Sequence, residues 1–151
     1  AFYVPSWLNW AYFDFFSTHP YTYWADSKFS LGFVDRTYEM TMSHVIGEIH
    51  LAKENLGANT GWIGSGMGNA GCIGIVFYSV LIGLILSFLD SYSKKLGYSF
   101  VLSISAIPIL TMTTGSDLMT MFLTHGLVVL FLILIFVSPN RKDKRGQVKK
   151  A

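Results

Sequence analysis

The sequence predicts an all-α integral membrane protein: three carboxy-terminal membrane-spanning helices preceded by an outer segment that carries an amphipathic helix. Three observations predict it. The chain of 151 residues is 52% hydrophobic and only 13% charged, far from the balance of a soluble domain. Its second half holds three closely spaced apolar stretches. Its charges also segregate. Residues 1–70 carry Lys28, Arg36 and Lys53 against Asp14, Asp26, Asp35, Glu39, Glu48 and Glu54, whereas Arg141, Lys142, Lys144, Arg145, Lys149 and Lys150 at the other end face only Asp143. The formal net charge of +2 averages these two regions and is no nucleic-acid signal; a basic end beside an apolar run is first a membrane signal.

Taken in order, residues 1–16 are crowded with Phe2, Tyr3, Trp7, Trp10, Tyr12, Phe13, Phe15 and Phe16. An aromatic segment at the membrane–water interface fits them, and so does the end of a span begun upstream. The opening AFYVPSWLNW has no initiator methionine, basic flank or cleavage site, so the chain reads as the carboxy-terminal part of a longer protein. From Asp35 to Leu56 the apolar residues Tyr38, Met42, Val45, Ile46, Ile49, Ala52 and Leu56 recur at helical spacing. Between them stand Glu39, His44, Glu48, Lys53 and Glu54, giving an amphipathic outer helix that Asp35 can cap at its start and Gly57 at its end. Residues 1–70 thus form an outer, interfacial segment.

Residues 71–137 form the membrane part. Residues 71–89 contain no charge and approach the length of about 20 residues that crosses a hydrocarbon core. Residues 96–116 are uncharged too, but Ser, Thr and Pro108 suit a helix packed on protein better than one facing lipid. Residues 118–137 hold one ionisable group, His125, and Asp117 offers an N-cap before them. Residues 138–151 are the basic tail. Held inside by its charge, the tail puts the turn at Gly115, Ser116 and Asp117 outside and the loop bearing Lys94 and Lys95 inside. The acidic first 70 residues then fall outside.

Residues 58–74, ANTGWIGSGMGNAGCIG, carry glycines at 61, 64, 66, 68, 71 and 74, with Gly57 just before. Positions 66–71 match G-x-G-x-x-G, yet no strand precedes them and no βαβ unit surrounds them, so a dinucleotide fingerprint is rejected. Two readings remain: close helix packing, and a nest of N–H groups facing an anion. Arg36 is the only outer arginine. It can clamp a phosphate bidentately, or serve as an ordinary ion-paired surface residue. His44 and Glu48 stand one helical turn apart, as do His50 and Glu54, without the third ligand a metal needs; a solvated polar face accounts for them. His19 before Pro20 reads as a turn, His125 as a helix-to-helix hydrogen bond or a functional group, and Cys72 as a small buried hydrophobe. The tail, RKDKRGQVKK, lacks interleaved aromatics, and anionic-lipid contact explains it without nucleic acid.

Three stretches, FFSTHPYTYWADSK at 15–28, ANTGWIGSGMGNAGCIG at 58–74 and YSVLIGLIL at 78–86, resemble the carboxy-terminal region of bacterial O-antigen polymerases, the oligosaccharide repeat-unit polymerase family. The resemblance covers residues 15–89, and the last two spans by hydropathy alone. It implies a multi-span inner-membrane glycosyltransferase. Such an enzyme joins repeat units carried on undecaprenyl pyrophosphate at the periplasmic face, with no cofactor and no metal. Membrane lipids and a chain-length regulator protein are its implied partners; nucleic acid is not. The transfer needs a base for the acceptor hydroxyl and donors for the departing pyrophosphate. Arg36 is the candidate for the pyrophosphate, and Glu39, His44 and Glu48 for the base. Asn59, Thr60, Ser65 and Asn69 are the candidates for sugar hydroxyls, with Trp62 stacking on a ring. The piece alone is expected to be inactive. O-antigen ligase, and a non-enzymatic transporter or membrane subunit, are the competing readings.

Overall fold

The computed structural model describes residues 3–27, 30–52, 56–124 and 126–137. Expectations placed on Phe2, Lys28, Lys53, Glu54, His125 and the basic tail at 138–151 lie outside these residues. Six helices make up the described chain: α1 (Tyr3–Phe16), α2 (Met42–Leu51), α3 (Trp62–Leu96), α4 (Tyr98–Thr114), α5 (Leu118–Leu123) and α6 (Leu127–Val137). No strand occurs among the described residues. One helix, α3, is long and apolar enough to cross a membrane; α4 and α6 are apolar but shorter.

In α1, Pro5 falls in the first turn, where a missing N–H breaks no helical bond. The helix buries Leu8, Ala11, Tyr12, Phe15 and Phe16, a stripe at spacings of three and four, and leaves Tyr3, Val4 and Trp10 exposed. Helix α2 is shorter than its periodicity suggests. It begins at Met42, not near Asp35, because the preceding chain is tied elsewhere: Tyr38 Oη donates to the Pro20 carbonyl at 2.7 Å and Thr37 Oγ1 to that of Tyr21 at 3.2 Å. Its first amide, Met42 N, finds a remote cap in Asp26 Oδ2 at 2.8 Å. Its end is Ala52 in the left-handed region at φ 50°, five residues before Gly57. A Cβ on Gly47 would collide with the Leu56 carbonyl, so the returning chain lies directly on α2.

Helix α3 contains a break that the sequence does not announce. Ala70 (φ −153°) and Gly71 (φ 61°, ψ −142°) leave helical geometry. Residues nine apart on a continuous helix stand about 13 Å from each other. Here a Cβ on Gly66 would lie 2.9 Å from the Ile75 Cα, and one on Gly74 would strike the Gly66 carbonyl. The chain therefore doubles back at Ala70 and Gly71, and Gly66 and Gly74 form the seam between the two halves. Close packing is what these glycines do here. The second half, residues 72–96, is about 37 Å long at 1.5 Å per residue and covers a hydrocarbon core of about 30 Å. It starts where the expected span at 71–89 starts and runs one to two turns further.

Helix α4 continues through Pro108, and the hydroxyls of Ser103, Ser105, Thr111 and Thr114 bond back to carbonyls four residues earlier. It packs through Val101, Ser105 and Met112, while Ile107 and Leu110 stay exposed on the other side. The expected single span at 118–137 is divided: α5 ends at Leu123 and α6 begins at Leu127, with Gly126 between them at φ 82°, a conformation that glycine adopts without penalty.

Two cores result. Leu8, Ala11, Tyr12, Phe15, Phe16, Val45, Ile46, Ala58 and Met67 pack together ahead of the break. Beyond it, Tyr78, Ile85 and Leu89 of α3 join Val101, Met112, Leu118, Met121, Leu127, Leu130 and Leu134. The cavity described below touches both, through Tyr12 of the first and through Trp24 and Met119 packed on the second.

Candidate functional site

Breaking α3 strands carbonyls at the end of its first half, and the site grows from how they are satisfied. The Gly68 carbonyl accepts the Thr22 amide at 3.0 Å, and the Asn69 carbonyl accepts that of Tyr23 at 2.9 Å. The loop between α1 and α2 is thereby drawn across the break. Tyr23 (φ 47°) and Trp24 (φ 60°) turn there in the left-handed region, unusual for aromatic residues. Asn69, buried, holds that turn: its Oδ1 accepts from Trp24 N and Thr22 Oγ1, both at 2.9 Å, and its Nδ2 donates to the Ser65 carbonyl at 2.9 Å. Asn69→Ala should lower stability by about 2–3 kcal/mol, because Trp24 N loses its acceptor, the Ser65 carbonyl loses its side-chain donor, and Thr22 Oγ1 keeps only the longer bond to the Gly68 carbonyl. Asn59→Ala, at an exposed position, should change it by less than about 0.5 kcal/mol. Melting of the purified protein in detergent measures both.

The turn aims Trp24 at the second half of α3, where its Nε1 donates to Tyr78 Oη at 2.8 Å. Tyr78 Oη in turn donates to Asp117 Oδ1 at 2.9 Å, and Ser65 Oγ donates to the same oxygen. The other oxygen of Asp117 caps α5, accepting from Met119 N at 3.0 Å and Thr120 N at 3.4 Å. The expected cap is present. The carboxylate also ties both halves of α3 to the α4–α5 turn, and four donors converge on it.

Above this network lies a cavity of about 310 Å³, at the lower end of the range for small-molecule sites. Tyr12 and Trp24 provide aromatic walls; Thr41, Ser43, Asn59, Thr60, Ser65, Asn69 and Thr120 provide hydroxyls and amides; Asp26 and Asp117 provide carboxylates. Tyr12 Oη donates to the Ala58 carbonyl at 3.0 Å. Burial, then the negative charges of Asp117 and Asp26, push its phenol well above its ordinary value, so it remains a neutral donor.

Of the residues singled out in the sequence, Asn59, Thr60, Ser65 and Asn69 all line this cavity. Thr60 is buried and donates to Asn9 Oδ1 at 2.7 Å. Trp62 does not line it; its ring packs beside the second core. Arg36, Glu39, His44 and Glu48 do not line it either. Glu39 and Glu48 are exposed, Glu39 in the loop before α2. His44 Nδ1 is 2.7 Å from Thr41 Oγ1. Arg36 reaches the cavity wall indirectly: its Nε is 3.6 Å from Asp26 Oδ1. The two carboxylates of the cavity were not singled out as site residues in the sequence. Asp26 stands unmarked in YTYWADS, and Asp117 has an ordinary reason to exist as an N-cap.

No protein-family model, curated protein or solved structure matches this chain.

Proposed function

We propose that this chain serves in the polymerisation of lipid-linked oligosaccharide repeat units, as a membrane glycosyltransferase of the O-antigen polymerase kind. One observation carries the reading. The glycine-rich stretch at 58–74, which holds the resemblance, is also the floor of a cavity whose aromatic rings, hydroxyls, amides and carboxylates suit a sugar. That cavity lies at the head of a membrane-length apolar helix. In this reading α3, α4 and the α5–α6 pair pass through the inner membrane of a bacterium, with the carboxy terminus cytoplasmic and the cavity at the periplasmic surface.

The chemistry requires a base at the acceptor hydroxyl. Asp117 is a poor one, since four donors already occupy its oxygens. Asp26 has fewer ties: one backbone amide and the partly solvated guanidinium of Arg36. Asp26 is the base in this account. Its carboxylate takes the acceptor proton as the acceptor oxygen bonds to the anomeric carbon of the growing glycan. The bond from that carbon to the pyrophosphate oxygen breaks, and the lipid pyrophosphate leaves with the electron pair. Arg36 neutralises charge beside it.

The lipopolysaccharide ladder of cells lacking the gene tests the function. Core capped with a single repeat is the expected result, restored to a full ladder by the wild-type gene. An intact ladder would refute the proposal, and bare core without any repeat would favour a ligase.

A further inference from the structure

Leu31 and Phe33 stand 81% and 88% exposed, with Val34 beside them, in a stretch at 30–34 that carries no charge. The backbone holds them there. Ser30 Oγ donates to the Ala25 carbonyl at 3.2 Å and to that of Ser27 at 2.8 Å, and Phe33 N donates to the Ser30 carbonyl at 2.8 Å. Leu31 takes the left-handed region at φ 47°, and Gly32 follows at φ 81°. A leucine adopts that conformation only at a cost, and the turn it makes leaves two large apolar side chains outside both cores. In water their exposure is unfavourable as well.

The stem of this loop is fixed to the head of the membrane-length half of α3. Thr22 and Tyr23 are tied to the Gly68 and Asn69 carbonyls, the Tyr21 hydroxyl lies against Gly71, and the Trp24 ring meets that of Phe77 edge to face at 5.6 Å. Phe77 lies about 8 Å along the helix from Cys72. It belongs to the exposed apolar stripe of Ile73, Val76, Phe77, Val80 and Leu84, the side that a spanning α3 turns to lipid. The loop is therefore continuous with the lipid-facing surface, and Tyr21, Tyr23 and Trp24 give its stem the aromatic residues that favour a membrane–water boundary.

We propose that the tip formed by Leu31, Phe33 and Val34 is a lipid anchor that dips into the outer leaflet beside α3. This rests on α3 spanning the membrane, and it holds whatever the cavity binds. Lipid is the one apolar surrounding that the neighbouring surface of α3 already requires, and an uncharged tip enters it without desolvating an ion. Asp35 and Arg36, both exposed, follow directly and mark the return of the chain to the headgroups and water. Asp26 and Ser27 stand between the stem and the tip and also line the cavity. Anchoring the tip fixes that wall of the cavity at the depth of the lipid headgroups.

The test places a nitroxide on Phe33→Cys, Val80→Cys or Glu48→Cys, each in a Cys72→Ala background, with the full chain in vesicles of phosphatidylethanolamine and phosphatidylglycerol. Collisions with oxygen, which concentrates in hydrocarbon, are compared with collisions with a water-soluble nickel chelate. The label at 33 should favour oxygen, at a depth of about 5–10 Å below the phosphates. It should fall between the label at 80, which lies deeper, and the label at 48, which the chelate reaches freely. A label at 33 reached by the chelate as freely as the one at 48, while the label at 80 stays in hydrocarbon, would overturn the anchor and leave α3 in the membrane. Shielding of the label at 33 from both reagents would overturn it too, since a second copy or another protein would then cover the tip. A label at 80 that meets water is the failure of the spanning reading and removes the anchor with it. An intact lipopolysaccharide ladder in the deletion strain, by contrast, refutes the polymerase reading and does not touch the anchor.

Discussion

Asp117→Ala should lower the stability of the protein by about 3–5 kcal/mol, the largest effect expected of any single side chain outside the apolar cores. Two losses add. Helix α5 loses a cap that satisfies Met119 N and Thr120 N, worth about 1 kcal/mol. Ser65 and Tyr78, both buried, lose their shared acceptor, at about 1–2 kcal/mol for each stranded hydroxyl. Asp117→Asn should lower stability by less than half as much, since its carbonyl still accepts from one side. Tyr78→Phe isolates one arm of the network and should forfeit about 1–2 kcal/mol. Melting temperatures of the three variants in one detergent rank them. Equal melting of Asp117→Ala and wild type would mean that the carboxylate does not tie the two halves of α3 to the α4–α5 turn.

Gly71→Ala should be nearly as damaging, at about 2–4 kcal/mol, for a backbone reason. At φ 61° and ψ −142° the residue occupies a region that side chains other than hydrogen avoid, and an added Cβ would stand 2.6 Å from Tyr21 Oη. Relief requires the break to open, which parts Gly66 from Gly74 and withdraws the Gly68 and Asn69 carbonyls from the loop above. The cavity should be lost with it. A mild variant further along α3 serves as control: Gly83 has open space around its Cβ position, so Gly83→Ala should be neutral or slightly stabilising. If Gly71→Ala melts with wild type, α3 is continuous through residue 71 and the fold described here is wrong in its central feature.

Much of the helical outline was legible because it depends on local pattern. Residues 71–89 lack charge, and the helix in fact resumes at 72; Asp117 before an apolar run is a cap in the sequence and in the structure. What was illegible depends on distant partners. Helix α2 starts at Met42 because Asp26, sixteen residues earlier, receives its first amide, whereas a reading of adjacent residues points to Asp35. Glycine spacing at 58–74 signals close approach, but nothing local distinguishes a helix packed against a neighbour from one folded onto itself. The division of residues 118–137 turns on one positive-φ glycine, Gly126, in a stretch whose hydropathy barely changes. At the site, Asn59, Thr60, Ser65 and Asn69 were legible as a group because one segment carries them all. Tyr12, Trp24, Asp26 and Asp117 arrive from three separate parts of the chain, and only the fold brings them to one cavity.

The proposed reaction is glycosyl transfer in this cavity with Asp26 as its base. Its most direct test is the initial rate of polymer formation by the purified full-length protein in nanodiscs supplied with lipid-linked repeat units, comparing wild type with Asp26→Asn. The substitution preserves the acceptor for Met42 N and should leave melting within about 1 kcal/mol of wild type, since the ion pair it removes involves a largely solvated arginine. The account predicts a rate lower by about 10²–10⁴, the contribution of a general base, with the fold intact. An Asp26→Asn protein that polymerises at the wild-type rate would contradict it.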